Sequence, residues 1–292
     1  IKVTDDTVVT PSPDLDGTVT EPDVKKYMVE GYTIKVDEDK NLVLKNLSMN
    51  NPVIQGKGNI TLSVDTDSLI SSDKNNHYGN SLLVTGKGND AVITGKSITI
   101  SNKQANKYNG DKNGIFMDYG SSRNLSMTAD DKVSVSGAYH GIASEQNTSG
   151  DISIKAGSMD IASPNGYGIF MNGANKVEID ASDGFTLKGG HGISNNGSEA
   201  ITIRSDNGDT NIQATSRHGA TAGSGDINIT AKNNTVEVKG ADPGPYGGIR
   251  SGRGNINVTA TVGNNTIKTG ENVSGIVSYL DKKKNATVWA KK

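Results

Sequence analysis

Seven glycines recur along this chain at nearly constant spacing, each followed by a small or branched apolar residue: Gly114, Gly141, Gly168, Gly192, Gly219, Gly248 and Gly275. Their successive separations are 27, 27, 24, 27, 29 and 27 residues. A repeat in that range marks a solenoid, in which one supersecondary unit stacks on copies of itself. Each unit has the same internal order: Gly-Ile, a polar turn, a β-alternating segment, a second turn, another alternating segment, and a corner leading to the next glycine.

The first alternating segment reads Leu125-Ser-Met-Thr-Ala129, Ile152-Ser-Ile-Lys-Ala156, Val177-Glu-Ile-Asp-Ala181, Ile201-Thr-Ile-Arg-Ser205, Ile227-Asn-Ile-Thr-Ala231 and Ile256-Asn-Val-Thr-Ala260. Apolar residues at i, i+2 and mostly i+4 predict strands with one buried face. The second segment follows as Val133-Ser-Val135, Met159-Asp-Ile161, Phe185-Thr-Leu187 and Val236-Glu-Val238, and more weakly around Ile212 and Ile267. With the Gly-Ile stretch, the unit holds three short strands. Such a unit cannot bury its apolar face alone, but a stack of them can. A leucine-rich repeat needs a helical return, and no segment has helical periodicity. A propeller blade would be longer and richer in tryptophan, of which there is one, Trp289. The predicted fold is all-β, a parallel β-helix with three strands per coil.

A second marker extends the count upstream. Turns reading Gly56-Lys-Gly-Asn59, Gly86-Lys-Gly-Asn89, Gly223-Ser-Gly-Asp226 and Gly252-Arg-Gly-Asn255 are expected to precede the first alternating segment. About nine coils result, a rod of roughly 43 Å at about 4.8 Å per coil. Glycine is abundant (36 of 292 residues), and Asn, Asp, Ser and Thr crowd the turns, as three tight corners per coil require. An apolar content of 33% suits a thin solenoid with little interior. Residues 1–32, with Pro11, Pro13 and Pro22, break the pattern and are expected to form a cap or lead-in. The β-helix is then expected over 33–292, ending in mid-coil after Asn285-Ala-Thr-Val-Trp-Ala290 as part of a longer molecule. The segment has no signal peptide, transmembrane stretch or lipidation motif. Without cysteine there is no disulfide framework and no thiolate metal site.

Gly-Ile repeats, Ile-x-Ile-x-Ala strands, Asn/Gly/Asp turns and the absence of cysteine together resemble the passenger domain of a bacterial autotransporter or haemagglutinin-type adhesin. The resemblance spans about residues 40–292. It implies a right-handed parallel β-helix, displayed on the cell surface or secreted from an outer-membrane-anchored parent. Attachment to host cells, other bacteria or copies of itself would be its work, in aggregation or biofilm. The family's C-terminal membrane barrel has no counterpart in these residues.

The competing class is an enzyme, because polysaccharide lyases and hydrolases also use β-helices. A hydrolase needs carboxylates converging across neighbouring coils. Glu178 and Asp180 have Ser153 and Lys155 one coil before and Thr202 and Arg204 one coil after, so no acidic ladder forms. A pairing of Arg204 with Asp180 reads as a surface ion pair. Catalysis is not expected. Asp206-Asn-Gly-Asp209 and Asp37-Glu-Asp39 resemble fragments of calcium loops without the full ligand pattern, so neither metal nor cofactor is expected. With 30 basic against 32 acidic residues, a net charge of −2 and no basic cluster beyond Lys282-Lys-Lys284, nucleic acid is not an expected partner. Membrane insertion by this segment is not expected either.

Histidine placement is the sharpest functional signal. His140, His191 and His218 directly precede coil-start glycines, and His77 stands two residues before Gly79. Tyr167 takes that position before Gly168, with Tyr78, Tyr139 and Tyr246 beside it. One corner of the rod should therefore carry a His/Tyr row. Corner packing, a ligand-facing strip and metal binding by His191 with His218 are its three readings. The repeat is also interrupted there, by Asn102 to Asn113 and by Asp242-Pro-Gly-Pro-Tyr246. Insertions in a solenoid map to loops on one side, often the binding side. The candidate ligand-binding residues are Tyr108, Tyr139, His140, Tyr167, His191, Arg217, His218 and Tyr246, facing a glycan, a protein surface or a second copy.

Overall fold

The structure, a computed structural model, describes residues 18–19, 33–36, 42–45, 53–56, 58–64, 81–84, 90–102, 112–240, 247–270, 274–278 and 286–290. Among these every strand pairing is parallel, no residue is helical, and all strands belong to one sheet wound into a β-solenoid. Three columns of strands form its faces. On the first face the ladder runs through the start of Leu125–Ser136, Ile152–Met171 and Val177–Asn195, then Ile201–Ser205, Ile227–Ala231, Ile256–Ala260 and Ala286–Ala290. On the second it continues from those long strands into Asp209–Ala214, Asn234–Val238 and Asn265–Thr269. The third comprises Leu82–Val84, Ile115–Met117, Ile142–Ser144, the ends of the long strands, Ala220–Ala222, Gly247–Ser251 and Ser274–Ser278.

Eight successive coils, from Val53 to Ser278, carry described strands on all three faces, slightly fewer than the nine or so expected. Above and below them, Thr33–Val36, Leu42–Lys45 and Ala286–Ala290 prolong the same columns as separate described pieces. Of the lead-in, Thr18–Val19 alone is described, and it pairs with Val43 and Leu44.

Period-two alternation builds the interior. Ile154, Ile179, Ile203, Ile229 and Val258 occupy one rung position of the first face, all buried and in register, while their chain neighbours turn outward. The coil-start glycines have a steric origin. A Cβ on Gly114, Gly141, Gly168, Gly219 or Gly248 would lie under 3.0 Å from the aliphatic side chain at one second-face position, respectively Val135, Ile161, Leu187, Val236 and Ile267. The third strand enters so close to the second face's core residue that no side chain fits, so the repeat in sequence records one close approach made once per coil.

Two details of the expected alignment shift. The second-face register places Asn234, not Val236, after Phe185 and Thr210, and then Asn265. Val236 instead follows Leu187 and Ile212. The interior thus turns polar along one rung position. Asn234 Nδ2 donates to the Thr259 carbonyl and to Asn265 Oδ1, each at 2.8 Å, which meets part of the cost of burying the amide. Ile60–Val64 also changes place. It pairs with Ile98–Asn102 and so lies on the second face, because Val53–Gly56 already fills the first. The Gly56–Asn59 turn and the Gly223–Asp226 turn therefore stand at different corners.

Candidate aromatic corner

The corner between the second and third faces is where the His/Tyr row was expected, and the described part of the row is there. Each turn is short, and its backbone bonds to the coil beside it. Gly114 N–H donates to the His140 carbonyl and Gly141 N–H to the Tyr167 carbonyl, both at 3.0 Å; Gly192 N–H donates to the His218 carbonyl at 2.8 Å. Successive ring-bearing residues are thereby held one coil apart. Ser163 Oγ donates to the Tyr139 carbonyl, and Asn165 Nδ2 donates to the Ala138 carbonyl at 2.8 Å.

Ring contacts then run unbroken from Tyr139 to His191. Tyr139 and His140 have centroids 4.3 Å apart, His140 and Tyr167 5.7 Å, and Tyr167 and His191 4.6 Å. Phe170 joins them from the outer side of the third face, 5.2 Å from both His140 and Tyr167 and close to coplanar with His140 at 15°. Phe170 was not among the expected residues. The signal was available: in Gly-Ile-Phe the isoleucine points inward, so the next residue must point out. Phe116 and Ala143 precede Phe170 in the same outward column and are buried against each other.

The two imidazoles of the row differ. His140 is 8% exposed. Its N–H donates to Asn113 Oδ1 at 3.1 Å, and its Nδ1 accepts the Tyr167 N–H at 2.9 Å. Burial pushes its pKa down to about 4, and nearby His191 adds to that shift. With Nδ1 accepting, the neutral ring carries its proton on Nε2. His140 is thus a neutral packing element that locks two coils together. His191 is half-buried and its pKa is also lowered, first by burial and then by the Arg217 charge. Its Nδ1 accepts the Arg217 N–H at 3.4 Å. Arg217 is exposed, and His218 is buried on the same turn. Tyr108 and Tyr246, like His77 and Tyr78, lie outside the described residues, as do 103–111 and 241–246. The described residues on either side of those two insertions belong to second-face strands before them and third-face strands after them.

Asp37-Glu-Asp39 and the Gly86–Asn89 turn lie outside the described residues, and the other motifs take scaffold roles. Arg204 is opposite Asp180 in register, yet its Nε donates to Asp206 Oδ1 at 2.7 Å on the surface. Asp209 Oδ1 accepts from Asn233 Nδ2 at 2.8 Å in a stack of turns. Among the described residues no group of three His, Asp or Glu side chains is arranged to hold a metal ion. In the glycine-rich turns, Gly252 and Arg253 N–H donate to the Ala222 and Gly223 carbonyls at 2.8 Å, so these amides serve the stack and are not open to an anion. No helix among the described residues is long and apolar enough to cross a membrane.

Compared with family models, with curated proteins and with solved structures, the chain matches none. Its geometry therefore carries the functional argument.

Proposed function

We propose that this chain is the binding segment of a cell-surface adhesin, a rigid solenoid that presents the Tyr139–His191 corner to a partner surface. Behind it stand the unbroken ring row from Tyr139 to His191 and the exposed Arg217, which share one corner of the scaffold. Aromatic rings with polar tips, held rigidly, lose little entropy on binding. A surface location and attachment to cells or to a second copy belong to the same reading, supported by the resemblance to autotransporter passengers. The β-helical lyase or hydrolase reading has less behind it, because Arg204 is engaged by the exposed Asp206.

Cell attachment and glycan-array binding test it, using Tyr139→Ala with Tyr167→Ala and, separately, deletion of 103–111. Binding is expected to fall about tenfold or more while the circular dichroism spectrum is retained. Parental binding by both folded variants would place the contact surface elsewhere.

A further inference from the structure

Six Asn-Gly pairs stand in this sequence, at Asn109, Asn113, Asn165, Asn172, Asn196 and Asn207. Asparagine is thermolabile, most of all before glycine, whose missing Cβ lets its backbone nitrogen reach the asparagine side-chain carbonyl carbon. In a folded chain that approach depends on whether the two amides are already held. Asn109 lies outside the described residues. Asn113 is fully buried, its Oδ1 accepts the His140 N–H at 3.1 Å, and Gly114 N–H donates to the His140 carbonyl. Asn165 Nδ2 donates to the Ala138 carbonyl at 2.8 Å. After Asn172, Gly173 N–H donates to Ser144 Oγ at 3.3 Å, and after Asn196, Gly197 N–H donates to the Met171 carbonyl at 3.2 Å.

Asn207 differs from these four. It is exposed, in the Asp206-Asn-Gly-Asp209 turn between the first and second faces. Among the described residues its side-chain amide has no hydrogen-bond partner, and neither has the Gly208 N–H. The backbone around the pair is nevertheless fastened to both neighbouring coils. Asn207 N–H donates to the Ser182 carbonyl at 2.7 Å, and the Gly208 carbonyl accepts the Lys232 N–H at 3.0 Å. Glycine is required at the buried second position, since a Cβ there would lie 1.9 Å from the Asp183 carbonyl oxygen. Stacking thus fixes the reactive pair at this corner and leaves its two reacting groups unheld.

We propose that Asn207 is a site of spontaneous modification, at which the side-chain amide becomes an acid by way of a cyclic imide. The Gly208 nitrogen bonds to Asn207 Cγ while the Cγ–Nδ2 bond breaks, and the Gly208 proton leaves with Nδ2 as ammonia. Water then opens the imide, its hydroxyl adding to one ring carbonyl carbon and its remaining proton returning to the nitrogen. No atom is oxidised or reduced. Opening at Cγ gives aspartate. Opening at the main-chain carbonyl gives isoaspartate, whose backbone runs through Cγ and is longer by one carbon. Either product adds a negative charge between Asp206 and Asp209. The longer backbone cannot keep both inter-coil bonds, to Ser182 and from Lys232, at their present lengths. Age therefore charges this corner and loosens it.

Ageing the full chain in mildly alkaline buffer, followed by tryptic digestion and mass spectrometry, tests this. Asn207 falls in the peptide 205–217, apart from every other Asn-Gly pair. In the folded chain it is expected to convert at least about tenfold faster than Asn113, Asn165, Asn172 or Asn196, giving separable aspartyl and isoaspartyl peptides. In urea all five should convert at similar rates, since the hydrogen bonds that distinguish them are gone. Asn207→Ser should fold and abolish the reaction in that peptide. Ser144→Ala, which frees the Gly173 N–H, should accelerate conversion at Asn172. Hydrogen exchange at the Lys232 amide should be faster in the isoaspartyl fraction than in the fresh chain. If Asn207 reacts no faster than the other four in the folded chain, or leads them by the same ratio in urea, the assignment to this corner's unheld amides is overturned. Unchanged protection of Lys232 would overturn the loosening.

Discussion

At the scale of single residues, His140 shows how a position that looks functional in sequence is used for packing. Its ring is enclosed by Tyr139, Tyr167 and Phe170, and its Nδ1 holds a backbone N–H of the next coil. Protonation would place a charge there and remove that acceptor. The folded-state pKa of about 4 lies below the ordinary histidine value of 6.5. Between these values the unfolded chain binds more protons than the folded one, so stability falls as pH drops from 6.5 towards 4 and levels off below. The accumulated loss is of order 3 kcal/mol. Urea unfolding at several pH values checks this, and His140→Gln, which keeps an acceptor but cannot titrate, should flatten the dependence across that window. An equal slope in the variant would assign the acid sensitivity to other groups.

At the scale of the strand, orientation decides tolerance. Ile203 and Thr202 are chain neighbours in Ile201–Ser205, one fully buried in register with Ile179 and Ile229, the other facing out between Glu178 and Asn228. Ile203→Asp places an unpaired carboxylate in a narrow apolar interior and is expected to cost at least about 4 kcal/mol, enough to unfold the surrounding coils. Thr202→Asp should change stability by no more than about 0.5 kcal/mol. Thermal melts of the pair measure the difference, and similar melting points would mean that the strand faces are reversed. Ile152–Met171 and Val177–Asn195 show the limit of treating strands separately, since each runs through all three faces and its corners are bends in a continuous ladder.

At the scale of the whole molecule, stacking makes stability a sum of neighbour contacts. Each coil pairs only with the one before and the one after it, and all described pairings are parallel. The molecule is therefore expected to scatter as an elongated particle with a β-rich far-ultraviolet spectrum. A spherical scattering profile or a strong helical signal would contradict it. Nearest-neighbour stacking also explains how the aromatic corner is made. Rings about 27 residues apart in the chain become neighbours because every coil returns to the same corner about 4.8 Å further along.

Much of this could be read from the amino-acid sequence because the determinants are periodic. The glycine spacing encodes one close approach per coil, and i, i+2 alternation encodes which side chains enter the core, so the β-solenoid, its three strands and the inward Ile203 were all legible. The His/Tyr corner was legible for the same reason, since a fixed distance before each glycine becomes a fixed place on the rod. What depends on comparing neighbouring coils was not. Asn234 follows Phe185 and Thr210 in the ladder only because the turn before it is shorter, and alternation alone cannot count turn residues. The place of Ile60–Val64 was misread because two corners use the same glycine-rich chemistry. Tertiary packing alone set Phe170 against both His140 and Tyr167 and lowered the pKa of His140 by burial. These follow from distances between coils, and a one-dimensional repeat specifies that coils stack but not which rings meet.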